Sequence, residues 1–368
     1  MPCFGQSFHL GMLYNCRSHN FVLGPTLWEP DAIKIASMSR ASKQSTFTCE
    51  VFTGDSLEEK MAKLGVDSSL KLTLMTGLVS PSCIGNFIFD RKSSKKQARV
   101  TLKCESTSKF DTLSFDQMKK EIHRDIDEEM TATHFVSGIE YGTQAVFVFD
   151  RDVDNKEMYI DVENDLKLAI HSLSRVPAEE SGPIGTDERD TEERKKLKCT
   201  FYGNQTSFKN SMSYEDAVRA YSTLKTNKDS QVDQVPKRAW LHPLSSLNTT
   251  MLRPVQEIGA HVTDALLNII ESFHEFETRV SDLLKSNICP IFLSLQNQIS
   301  RCEKAVSEYR KSLLTKSSNL LPVVRSGDEE EKLITDVLVE VASSPLHQTY
   351  LSSWISEKKR RWSYCPRT

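Results

Sequence analysis

The chain has 368 residues, enough for two or three domains at about 150 residues each. Hydrophobic residues make up 38% and charged residues 26%, a balance that excludes wholesale disorder. A formal net charge of −3 excludes a global positive field for nucleic acid, and no run reaches the ~18 apolar residues of a spanning helix.

The opening, Met1 to His9, has neither a basic start nor an apolar h-region. The expectation is synthesis in the cytoplasm, followed by residence there or export by a non-classical route. Farther on, Leu57, Met61 and Leu64 form a short helical stripe. From Ala62 to Leu74 the pattern changes to alternation, with Leu64, Val66, Leu70, Leu72 and Leu74 at even positions. That is an amphipathic strand pattern longer than the about 9–11 residues that cross a bilayer in a barrel. Arg99 to Cys104 alternates as a half-buried strand should. Thr133 to Tyr141 reads as a strand and Thr143 to Phe149 as a central, fully covered one, with Gly142 at the joint between them.

Asp150, Asp152 and Asp154 then occupy alternate positions, with Asp161 twelfth from the first. This partly mimics a calcium loop, but a short Asp stands where a bidentate Glu belongs, and strand precedes it. A solvated acidic turn is the preferred reading, with calcium the alternative. Ile160, Val162, Leu166, Leu168 and Ile170 next satisfy a strand period, while Val162, Leu166, Ala169, Ile170 and Leu173 satisfy a helical one. A segment that fits both periods is able to pack as a helix in one state and as a lipid-facing strand in another. Ala178 to Lys198 is a mixed-charge stretch expected to form a surface loop, and Ser213 to Leu224 an amphipathic helix.

Near residue 253 the helical period takes over. Val255 to Phe276 forms one run, Ile291 to Tyr309 a second with Pro290 in its first turn, Leu333 to Leu338 a third, and Leu351 to Trp362 a fourth. An up-and-down bundle is the natural packing. Signatures of catalysis are missing: there is no GxSxG, P-loop, HExxH or GxGxxG, and the nine histidines are dispersed, with His134 inside a strand. No catalytic residue, cofactor or enzymatic activity is expected. The nine cysteines have no paired spacing and read as reduced thiols.

Phe8 to Tyr14 with Cys16-Arg17-Ser18 resembles the opening of the fish-venom stonustoxin, verrucotoxin and cytolytic toxin subunits. The likeness continues in order through Gln97 to Leu102, Ala132-Thr133-His134, Tyr141-Gly142, Ala145 to Asp150, Tyr214 to Val218, Trp240 to Leu244 and Leu321 to Gly327. The resemblance implies an α+β fold: a MACPF/CDC-like bent, mainly antiparallel sheet flanked by helical clusters, followed by an all-α helical bundle of the focal-adhesion-targeting type. The expected division is 1–253 and 254–365, with the thioredoxin-like and PRY/SPRY domains of the family outside this sequence.

It further implies a pore former whose clusters unfurl into transmembrane hairpins within a ring of subunits. Leu64, Val66, Leu70, Leu72, Leu74, Ile160, Val162, Leu166, Leu168 and Ile170 are then the membrane-insertion residues, and Gly77 and Gly85 the glycines that let the sheet bend. Partners on this reading are a lipid membrane and a homo- or hetero-oligomer of related subunits, and no nucleic acid. Two departures from the family pattern favour an alternative, a non-lytic interaction protein whose bundle docks a protein partner. Thr76 to Asn86 carries Pro81 where the toxins are rich in glycine, and residues 187–193 place charges on both parities of the second returning strand.

Overall fold

The computed structural model describes residues 1–23, 27–41, 47–120, 122, 131–154, 156–175, 195–204, 208–226, 235–247, 254–285 and 293–363. Its frame is a pair of antiparallel sheets, a lower and an upper half, that meet end to end. The lower half has the order β10-β9-β8-β5-β4, formed by β4 (Thr48–Phe52), β5 (Gln97–Glu105), β8 (Gln144–Asp152), β9 (Lys198–Gly203) and β10 (Ser211–Met212). In the upper half β2 (Asn20–Phe21), β1 (Leu13–Asn15), β7 (His134–Gly142), β6 (Lys109–Leu113) and β3 (Ser37–Ala41) follow one another, with β11 (Val235–Pro243) paired to the other side of β7.

Two strands run through both halves. Only Thr143 separates β7 from β8, and residues 106–108 separate β5 from β6. Glu105 pairs Gln144 below the break and Lys109 pairs Tyr141 above it, so three residues face two. This is a β-bulge, and bulges bend and twist the strand that carries them. Gly142 belongs at that point for a steric reason: a Cβ there would lie 2.0 Å from the Ser106 carbonyl oxygen. Across the joint Lys237 donates to Thr107 Oγ1 at 2.8 Å and pairs with Glu140 at 3.0 Å, which ties three strands together.

The joint between the two halves is therefore at Gly142, as expected, and the two glycines assigned to a sheet bend lie elsewhere. Gly77 ends α3 (Ser68–Thr76) in the left-handed conformation at φ 75°, an ordinary helix terminator. Gly85 lies in a 3-10 turn (Cys83–Phe89), where a Cβ would meet Pro81 and the Phe4 ring. Neither belongs to the sheet.

Helices cover both faces of the lower half. On one face sit α2 (Leu57–Lys63), α3 and the 3-10 turn, in a core with Phe52, Val146 and Val148. On the other, α5 (Tyr159–Arg175) and α6 (Tyr214–Thr226) pack over Val100, Leu102, Cys104, Phe147 and Phe149. This double cover buries β5 on both sides, so the half-exposed strand expected from Arg99 to Cys104 is a central one. Around the upper half run α1 (Pro30–Ala36) and α4 (Phe115–Lys120), with Trp28 donating to the Met118 carbonyl at 2.8 Å.

Four helices complete the described chain: α7 (Ala260–Lys285), α8 (Leu293–Ser326), α9 (Lys332–Ala342) and α10 (Gln348–Ser363). They match the four expected runs, although Pro290 and the stretch 176–194 lie outside the described residues. Val262, Leu266, Phe273, Phe276, Ile299, Val306 and Leu338 join the core that holds α2 and α3. Among the described residues no helix is long and apolar enough to cross a membrane.

Candidate functional site

The expected insertion segments fold as helices, each in the connection between two adjacent antiparallel strands. Residues 53–96 join β4 to β5, and residues 153–197 join β8 to β9. Phe52 pairs Thr101, Gln97 pairs Asp152 and Asp150 pairs Lys198, so both connections leave the sheet at the same end.

In the first cluster each helix start is capped by its own sequence. Ser56 accepts from the Glu59 N–H, and Asp67 accepts from the Leu70 N–H at 2.8 Å. Gly65, at φ 68°, breaks the alternating run between the two helices. Leu64, Val66, Leu70, Leu72 and Leu74 are all buried. The alternation survives in a helix because α3 is enclosed: α7 and α8 pack on it as well as its own cluster.

The second cluster resolves its two periods differently. Val162, Leu166, Ile170 and Leu173 follow helical spacing and are buried. Ile160 and Leu168, which fit only the strand period, stand 62% and 66% exposed. Met158, on the same parity, is 67% exposed. The helix leaves in water the residues that an extended backbone would return to the apolar face.

A buried ionic clasp holds the first cluster at the base of the sheet. Asp55 pairs with Lys60 at 2.6 Å and with Arg99 at 3.1 Å, while Arg99 also chelates Asp150 through two 2.7 Å bonds. Lys60 donates to the Asp90 carbonyl as well, and its ammonium lies 4.9 Å from the centre of the Phe87 ring. Burial pulls the Lys60 pKa down to about 8, against the opposing pull of Asp55. For Asp55 burial works upward, but Lys60, Arg99 and the Lys92 N–H together hold its carboxyl below the usual range.

From outside, α7 grips the same segment. Glu271 takes two bonds from Arg91, at 2.6 and 3.1 Å, and one from the Leu57 N–H at 2.8 Å. Lys95 pairs with Glu275 at 3.1 Å, and Ser94 donates to Asp282 at 2.5 Å. At the far end of α3, the buried guanidinium of Arg325 on α8 donates to the Ser69 carbonyl at 2.7 Å. It also donates to Thr73 Oγ1 and the Arg17 carbonyl, both at 3.0 Å. His19 sits beside it, 3.1 Å from Ser69 Oγ, with burial and then the Arg325 charge pulling its pKa down to about 4. Sequence reading missed this clasp, although Lys60 and Arg325 do interrupt apolar stripes, at i+3 from Leu57 and i+4 from Leu321.

The calcium reading does not survive the geometry. Strand β8 continues to Asp152 instead of opening into a loop, so Asp150 is engaged by Arg99 and Asp152 pairs with Lys198 at 3.4 Å. Asp161 lies on α5, and the Asp154 N–H donates to Glu157 at 3.0 Å. Among the described residues no group of three or more His, Cys, Asp or Glu gathers to hold a metal ion.

Comparison with known proteins gives two family-model matches. Residues 1–171 match the SNTX, MACPF/CDC-like domain, and residues 268–363 match the stonustoxin helical domain. Stonustoxin subunit alpha of Synanceia horrida is 26% identical over 98% of this chain and 51% of its own length. Verrucotoxin subunit beta of Synanceia verrucosa has the same identity and coverage, and cytolytic toxin-alpha of Scorpaena plumieri is 25% identical over 98% and 51%. The solved stonustoxin structure superposes with a TM-score of 0.73 at 22% identity, covering 99% of this chain and 48% of that one. The chain spans about half the length of the curated relatives it matches.

Proposed function

This chain belongs to the stonustoxin family, and from that premise we propose that it acts as a perforin-like pore former. On this reading a soluble protein assembles on a membrane and converts its two helical clusters into transmembrane hairpins. The observation that carries the reading is connectivity: each cluster joins neighbouring antiparallel strands at one end of the sheet. Unwinding either cluster lengthens an existing hairpin and breaks no rung of the ladder. A membrane strand needs about 9–11 residues, so residues 53–96 and 153–197 are each long enough for two crossings and a turn.

The lipid-facing side of the first hairpin is then Leu64, Val66, Leu70, Leu72 and Leu74. Ile160, Val162, Leu166, Leu168 and Ile170 form that of the second, with Met158 added to their parity. No catalytic group takes part. The reading divides the chain at residue 253, so that 1–253 carry the hairpins and 254–365 brace the first of them. Assembly with a related chain is part of it, since relatives are named as alpha and beta subunits.

The test uses cysteine pairs that lock α3 to α8 or α5 to β5, assayed by dye release from lipid vesicles. Release is expected when a lock is reduced and not when it is closed. Equal release in both states overturns the reading, as does none from the unlocked chain together with a related subunit.

A further inference from the structure

The ladder between β4 and β5 brings together two cysteines that lie far apart in sequence. Cys49 and Cys104 are directly opposed Cα partners. Backbone bonding at either end of β5 identifies the kind of pair. The Val153 N–H donates to the Lys96 carbonyl and the Ser106 N–H to the Thr143 carbonyl, so the even-numbered residues of β5 turn their backbone groups toward β8. Cys104 therefore faces Cys49 across a non-hydrogen-bonded pair, the closer kind, with about 4.5 Å between Cα atoms. Disulfides span Cα separations of about 4.4–6.8 Å, so the pair falls within the range that a disulfide bridges.

The two thiols are not equivalent. Cys104 is buried, whereas Cys49 is only half-buried and the more accessible of the two. A hydrogen bond from Cys104, with another from the Tyr221 hydroxyl and the nearby Lys225 charge, holds the Cys49 thiol below its ordinary range against burial. Burial pushes the Cys104 thiol up. Cys49, the more accessible of the two, is thus the thiol that a reagent meets first, with Cys104 directly opposite it in the ladder.

We propose that Cys49 and Cys104 form a redox-modifiable dithiol, in which Cys49 reacts with hydrogen peroxide and Cys104 resolves the product to a cross-strand disulfide. Cys49 sulfur attacks one peroxide oxygen and the O–O bond breaks. The departing hydroxide takes a proton to become water, and Cys49 is left as a sulfenic acid. Cys104 sulfur then attacks Cys49 sulfur, the S–O bond breaks, and the leaving hydroxide takes the Cys104 proton as a second water. Two thiols give up two electrons to one peroxide, yielding one disulfide and two waters. The new bond pins the register of β4 against β5, the two strands that the segment 53–96 joins, whatever that segment does at a membrane.

The experiment is peptide mapping of the chain without reduction, after hydrogen peroxide treatment and alkylation of the remaining thiols. Expected is a joined pair of peptides containing Cys49 and Cys104, lighter by two hydrogens than their sum and separated by reductant. In Cys104→Ser, Cys49 stops at the sulfenic acid and is captured by a cyclic 1,3-dione. The wild-type map decides the matter without any variant. Recovery of both cysteines alkylated while the exposed Cys83 is oxidised would overturn the proposal, as would dione capture of wild-type Cys49 with no joined peptide.

Discussion

The two helical clusters occupy equivalent places in the connectivity but are held in unlike ways. Residues 53–96 lie between the sheet and the C-terminal helices, fastened by Asp55, Lys60, Arg91 and Arg99 on one side and by Glu271 and Arg325 on the other. Helix α5 lies on the opposite face, packed by an apolar stripe on β4 and β5, with Ile160 and Leu168 turned to water. Tyr159 donates to Glu163 at 3.0 Å in its first turn, and the pair Arg151–Glu157 at 2.6 Å lies just before it. One connection is latched by charges from several elements, whereas the helix of the other rests mainly on apolar surface, with Lys92 of the first connection donating to its Tyr159 at 3.4 Å. Opening the first requires parting α3 from α7 and α8, whereas opening the second does not.

The largest expected effect comes from the latch. Asp55→Ala leaves the Lys60 ammonium without its carboxylate in a buried site, while the Arg99 guanidinium keeps Asp150 and Asp90. Removing one partner of a buried ion pair costs about 3–5 kcal/mol. Urea unfolding is expected to show that loss, and hydrogen exchange to show faster opening of α2 and α3 with α5 little changed. Equal acceleration in α5 would break the contrast between the clusters. Next comes Arg325→Met, which deletes three charge-assisted bonds onto Arg17, Ser69 and Thr73 while keeping an apolar stem. Bonds of this kind are worth about 1.5–3 kcal/mol, and the loss again belongs to α3.

Acid gives a smaller effect of the same kind. His19 contacts Tyr14 and Ser69, and burial followed by the Arg325 charge keeps it neutral down to about pH 4, with His134 adding to that and Asp67 opposing it. Its folded pKa lies below its unfolded value of 6.5. Between those values the unfolded chain holds the extra proton, so stability is fully present above about pH 6.5 and is lost as pH falls toward 4. At pH 5 the His19 contribution lost is about 2 kcal/mol. His274 on α7, also pulled down to about 4 by burial and the Arg91 charge, acts in the same direction. Exchange of α3 amides measured at pH 7 and pH 5 is expected to accelerate in the wild type and less so in His19→Gln. A pH response confined to α5 would reverse the assignment.

The contrast was only partly visible in sequence, for reasons that particular residues make clear. The joint at Gly142 was legible because two apolar strand runs meet there, and the four C-terminal helices because their period is long and regular. For Leu64 to Leu74 no single period decided the structure, since α3 is buried all round from Leu72 to Thr76 and places little demand on polarity there. In α5 the helical stripe did win, and the misfit of Ile160 and Leu168 is the trace of the losing period. The latch was invisible because its members are far apart: Asp55, Arg99, Asp150 and Glu271 meet only once the sheet has formed. Gly77 and Gly85 misled because a helix terminator and a close-packed turn need glycine as much as a sheet bend does. The acidic run from Asp150 failed for a related reason, since strand β8 had already claimed its first member for Arg99.

The smallest effect on the fold separates packing from insertion. Leu168 is 66% exposed on α5, so Leu168→Lys should leave folded stability within about 0.5 kcal/mol of the wild type. If residues 158–170 extend across a bilayer, Leu168 shares a face with Val162, Leu166 and Ile170, and lysine on the lipid side costs about 2–4 kcal/mol near the midplane. Vesicle leakage is therefore expected to fall sharply in a variant whose urea midpoint does not move. Asp165→Lys supplies the control: it is equally a surface change on the helix, but on the other strand parity, and it should leave leakage intact. Equal leakage from the two variants would mean that α5 does not enter the membrane as a strand. The apolar residues it leaves in water would then need another explanation, and the first cluster alone would carry the conversion.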